Sequence, residues 1–194
     1  MTNYKFKIKY SLYATILLFI MSVLGLALGF AIGYLDSAKS EYAKPGYILL
    51  IIFILVSGLI GVVSAYGFIH IGKKINNKLL YNVGWFYLVL GVISLIPSLI
   101  SFIFHYLGGQ TPLGSIVDMV ISAVFMALTS IPLGVALFKA KKDTIYKITG
   151  GLYVLTGLMA LTVILYLLAA LMAFPTLLAN ILLFYKEDQK ECQP

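Results

Sequence analysis

Arginine is absent from this chain: all fourteen basic residues are lysine, set against seven carboxylates and two histidines. The side chain best shaped for bidentate phosphate grip is therefore missing. Charge as a whole is scarce. Only 11% of the 194 residues are charged, whereas a water-soluble domain carries about 25%, so a soluble surface could not be covered. Cys192 is the single cysteine, which excludes an internal disulfide. With no C-x-x-C or C-x-x-C-H spacing, structural zinc, iron–sulfur clusters and covalent haem are excluded as products of this chain alone. Walker, G-x-G-x-x-G, H-E-x-x-H and G-x-S-x-G patterns are missing too. No apolar run carries a series of carboxylates, and short loops leave no extramembrane domain to house an active site. The reading is a non-enzyme, without catalytic, cofactor-binding or metal-ligating residues.

What is present is apolar: 61% hydrophobic residues and a mean hydropathy of +1.01 make lipid the solvent. A spanning helix needs about 20 mostly apolar residues. Runs at 11–35, 46–71, 80–106 and 115–138 meet that length. The first run follows Lys5, Lys7 and Lys9 as a signal peptide would. It is longer than the 7–15 residues typical of that class and has no A-x-A site near its end, so it reads as a retained span. The stretch from Ile145 to Tyr185 holds no charge but Lys147. As one helix it would be about 60 Å long, twice the hydrocarbon thickness. A hairpin of spans at 146–165 and 167–185 resolves this, although no Gly or Pro marks the turn and Pro175 lies inside the second half. The expectation is an all-α polytopic transmembrane helical bundle, with six spans favoured and five as the alternative.

Loop charge gives the orientation. With the N-terminus inside, twelve lysines fall on the inner side and only Lys39 and Lys44 on the outer, as the positive-inside rule requires. The +7 net charge is thus accounted for by topology rather than by nucleic acid. The expected location is the cell membrane, multi-pass, with both termini cytoplasmic.

A weak parallel repeat runs at an offset of 66 residues. Gly84-x-x-Tyr87-x-x-x-Gly91 matches Gly150-x-x-Tyr153-x-x-x-Gly157, Ser64 matches Ser130, and Asn77 and Asp143 align as N-caps. The unit is a helix, a lysine-rich inner loop and a returning helix; chance matching in Gly- and Leu-rich spans is the alternative. The stretch Phe68-Ile-His-Ile-Gly-Lys-Lys-Ile-Asn-Asn-Lys-Leu-Leu-Tyr-Asn-Val-Gly-Trp-Phe-Tyr, with the closing run from Thr149-Gly-Gly-Leu-Tyr to Ile181-Leu-Leu-Phe-Tyr-Lys-Glu, resembles the domain-of-unknown-function 996 family of small archaeal and bacterial membrane proteins. That resemblance implies a final hairpin and an archaeal source, and no reaction.

Ionisable groups near spans are candidate functional groups by default. Asp118 lies four residues into the fourth run. Ser115-Ile-Val-Asp118 is a capping-box pattern, so a first-turn cap at the outer interface stands beside a proton- or ion-binding role. His105 ends the third span on the same side, and the intervening outer loop would bring the pair together. His70 ends the second span on the inner side, roughly 30 Å away, too far to share a haem iron with His105. Glycine spacing points to packing: Gly25, Gly29 and Gly33 share one face of the first span, and Ser57, Gly61 and Ala65 share one face of the second. Pro97 and Pro132 would kink their helices. The function expected is a non-catalytic accessory or structural subunit docking on other membrane subunits or on itself; the alternative is a small transporter or channel for an ion or small solute.

Overall fold

A computed structural model describes residues 8–38, 43–106, 112–162 and 165–192. They are almost entirely helical and contain no strand. The helices are α1 (Ile8–Ser37), α2 (Ala43–Lys74), α3 (Lys78–Tyr106), α4 (Pro112–Ala140), α5 (Thr144–Leu161), α6 (Tyr166–Leu171) and α7 (Ala173–Cys192). Six stretches are long and apolar enough to cross a membrane, the last being Leu168–Glu191. The protein is an all-α bundle of six potential spans, and a multi-pass membrane protein. Its outward side chains are those lipid selects: Phe30, Leu59, Leu128 and Leu182 are all more than half uncovered or close to it.

Successive spans pack antiparallel, and α7 closes the ring against α1. Both described ends therefore lie at the lysine-rich end, where the Ile8 amide meets Glu191 Oε2 at 3.4 Å. The densest core is also there. Phe68, Ile71, Leu80, Leu137, Tyr146 and Phe184 are buried within it.

The closing hairpin turns earlier than its hydrophobic pattern suggests. Helix α5 stops at Leu161 because Thr162 adopts extended backbone, while its hydroxyl and amide both satisfy the Met159 carbonyl. The chain then makes the short α6 before α7. Pro175 sits in the first turn of α7, where its missing N–H breaks no intrahelical bond; helix bonding continues past it from the Thr176 amide to the Met172 carbonyl.

The sequence repeat has a structural counterpart. Hairpins α2–α3 and α4–α5 are the most closely packed pairs, and the repeated glycines make them so. A Cβ on Gly84 would lie 2.9 Å from Ile69 of α2, and one on Gly150 would lie 2.6 Å from the Gly134 carbonyl of α4. Asn77 caps α3, its Oδ1 accepting from the Leu80 amide at 2.9 Å. Asp143 also occupies the N-cap position, and its carboxylate accepts from Lys186 Nζ at 2.7 Å. The repeat also diverges at its serines. The Thr15 hydroxyl proton goes to the Ser11 carbonyl, so Ser64 donates to Thr15 Oγ1 at 2.6 Å and ties α2 to α1. Its counterpart Ser130 lines a cavity instead.

Candidate functional site

That cavity, of about 410 Å³, lies between α3, α4, α5 and α7. Its volume falls in the range of small-molecule sites. Its depth follows from the helices that build it: Thr129, Ser130, Tyr153 and Asn180 all stand at the midpoints of their spans. Around them, Ser94, Ser122, Thr156 and Thr176 add hydroxyls, with Tyr87 and Phe125 contributing rings. None of the described lining residues is charged. Pro97 also lines the space, which places one of the two helix-interior prolines at the cavity wall.

Hydroxyls in apolar helices ordinarily satisfy themselves on the backbone one turn back, and several here do so. Thr129, Thr156 and Thr176 donate to the carbonyls of Phe125, Leu152 and Met172 at 2.8, 2.8 and 2.7 Å. Asn180 Nδ2 donates to the Tyr153 hydroxyl at 2.7 Å. The other half of that amide has no such outlet: Asn180 is 2% exposed and its Oδ1 has no hydrogen-bond partner among the described residues. A buried carbonyl left unsatisfied costs about 1–3 kcal/mol.

Toward the lysine-rich end the cavity is floored by aromatic rings. Tyr87 and Tyr153, the repeat-related pair, meet edge to face at 6.1 Å. Phe68 stands 6.0 Å from each of them and 5.1 Å from Phe184. Below this layer lies a cluster of ions. Glu187, whose side chain is 1% exposed, pairs with Lys190 at 2.7 Å, Lys141 at 3.2 Å and Lys74 at 3.7 Å. Glu191 pairs with His70 at 3.0 Å and Lys74 at 3.5 Å. The Lys186 hydrogen bond holds the Asp143 carboxyl below its ordinary range, with the charge of Lys190 adding to the effect. These contacts strap the end of α7 to α2 and to the α4–α5 turn.

His105 lies in the last turn of α3 and Asp118 in α4, one turn before the cavity-lining Ile121 and Ser122. Their side chains fall outside the described residues, as does the 107–111 connection between the helices. His70, read as an interfacial histidine, is bound to Glu191. Among the packing glycines, only Gly25 meets a neighbour, with Phe53 of α2 2.8 Å from an added Cβ; Gly29, Gly33 and Gly61 have nothing within 4 Å. Ser57 bonds its own helix at Ile54 and Ala65 is buried. The residues that build the cavity escape a search for ionisable groups, since Thr156, Thr176 and Asn180 are neutral. Tyr87 and Tyr153 were legible as a repeated motif, and the spacing of Thr176 and Asn180 by four residues in an apolar span was the remaining signal.

No family model matches the chain, and no curated protein or solved structure is similar to it. The likeness carried by residues 68–87 and 149–187 therefore rests on sequence pattern alone.

Proposed function

We propose that this membrane protein is a small, non-enzymatic carrier or channel that holds a small polar solute or ion in the cavity between α3, α4, α5 and α7. One observation carries the reading: a void lined by hydroxyls and an amide, at the midpoints of the spans, where apolar packing would be the less costly solution. Membrane carriers place their sites at this depth, between helices that can rearrange around them. The lysine-rich end would face the cytoplasm on the positive-inside rule, with both termini on that side.

The test is uptake into liposomes by the purified protein, comparing wild type with a Thr156→Val/Thr176→Val double variant. Because valine keeps the shape of threonine, the variant is expected to fold and to lose transport. Equal flux in both, or none in wild type across small ions and polar solutes, overturns the proposal.

A second reading, an accessory subunit docking on another membrane chain, is favoured by the α1 face around Gly29 and Gly33, which no described residue of this chain covers. It predicts co-purification with a partner in mild detergent. A clean monomer that moves solute would count against it.

A further inference from the structure

Each threonine hydroxyl carries a single proton, and on this wall the protons are spent. Thr156 and Thr176 both donate to their own helices, yet their oxygens face each other across the α5–α7 contact at 3.4 Å. Either hydroxyl could bridge that contact only by turning its proton away from its own helix. Asn180, one turn along α7 from Thr176, adds the unpartnered Oδ1. All three residues are at most 5% exposed and all line the cavity. Across the space, the Thr129 proton is likewise committed to Phe125. With the threonine protons on their own helices and Asn180 Nδ2 on Tyr153, this face presents mainly oxygen lone pairs.

We infer that the Thr156–Thr176–Asn180 face of the cavity is a binding site for a small monovalent cation, an alkali ion or an ammonium group. The inference rests on the carrier reading above and names its ligand. At this face an anion would meet oxygen lone pairs where it needs donors. A divalent ion would demand carboxylates to offset its dehydration, and none of the described lining residues is one. A monovalent ion asks less: neutral carbonyl and hydroxyl oxygens can replace its hydration shell. The rings of Tyr87, Tyr153 and Phe125 line the same space, and aromatic faces attract cations, more strongly once water is excluded. At about 410 Å³ the cavity is far larger than a bare ion, so the ion would retain part of its water or carry a short organic tail.

The experiment reads binding without requiring transport. Full-length protein in detergent is melted at constant ionic strength in chloride salts of sodium, potassium, ammonium and methylammonium, with N-methylglucamine as the ion too large and too hydroxylated to seat. A saturable rise in Tm with at least one small cation, absent with N-methylglucamine, is expected. Thr156→Val/Thr176→Val should weaken the apparent affinity about tenfold or more, the loss expected on removing hydrogen bonds to a charged group. Asn180→Asp, which adds a carboxylate to the same face, should tighten it. If the double variant binds as tightly as wild type, or if no small cation shifts the wild-type Tm, the inference is wrong. The sodium, potassium and ammonium arms identify which ion binds. Uptake of a neutral solute without any cation shift would sink this inference and leave the carrier reading standing. Cation binding by a protein that moves nothing would do the reverse.

Discussion

Replacing Glu187 with glutamine would remove one charge from the most enclosed ion cluster of the protein while preserving its shape. The carboxylate is 1% exposed and accepts from Lys190 and Lys141 at 2.7 and 3.2 Å. Breaking a fully buried pair costs about 3–5 kcal/mol because the orphaned partner stays buried. Here the partners are not buried to that degree: the side chains of Lys74, Lys141 and Lys190 are 29%, 31% and 38% exposed and can turn to water. The loss then falls to that of two charge-assisted hydrogen bonds discounted for solvent, about 1.5–3 kcal/mol. Glu191→Gln provides the comparison. Its pairs with His70 and Lys74 are far more open, 23% on the glutamate side, and should be worth at most about 1 kcal/mol. Thermal unfolding in detergent at low and high salt separates the two. Glu187→Gln should lower Tm by several degrees at both, whereas the smaller Glu191→Gln effect should fade with salt. Equal effects, or a silent Glu187→Gln, would refute the claim that this carboxylate clamps α7 to its neighbours.

Other outcomes follow from the same contacts. Gly150→Ala should destabilise by about 1–3 kcal/mol, since its methyl would meet the Gly134 carbonyl and force α4 from α5; Gly29→Ala, with open space around it, should leave the melting of the isolated chain unchanged. Asn77→Ala should cost about 0.5–2 kcal/mol as a lost helix cap. Asp143 has a lowered carboxyl pKa in the folded state, so its contribution is present above the ordinary carboxylate range and is lost as pH falls through the lowered value. A pH series of Tm should therefore show a steeper acid decline for wild type than for Asp143→Asn.

The six spans were legible because length and hydropathy are properties of composition, and lipid imposes them without regard to partner helices. Where the last hairpin turns was not legible. Thr162 ends α5 through its backbone angle and its bonds to Met159, a choice no glycine or proline announces. Glycine spacing alone was a poor guide to contact, as Gly29, Gly33 and Gly61 illustrate. The glycines that carry the packing lie elsewhere: Gly72 against the Tyr81 backbone beside a turn, and Gly150 against Gly134 within the α4–α5 hairpin. The repeat was more informative, because its tyrosines meet at the floor of the cavity. Attention to ionisable residues pointed to Asp118 and His105, whose side chains lie outside the described residues, and passed over the neutral hydroxyls that share the cavity wall with apolar side chains. Whether a threonine in a span faces lipid, its own backbone or a void depends on packing, which a single sequence does not encode locally.

Water access to the cavity is the most direct measure of whether it is a solute site. In a Cys192→Ser background, Ser130→Cys places a near-isosteric thiol on the cavity wall, and Leu128→Cys places one on the same helix facing outward. Thiol reagents attack the thiolate, which forms only where water solvates it. In native membranes, Ser130→Cys should react with a small water-soluble thiol reagent and Leu128→Cys should not. If the two are equally unreactive, the cavity is dry and the account of a mid-membrane solute site is contradicted.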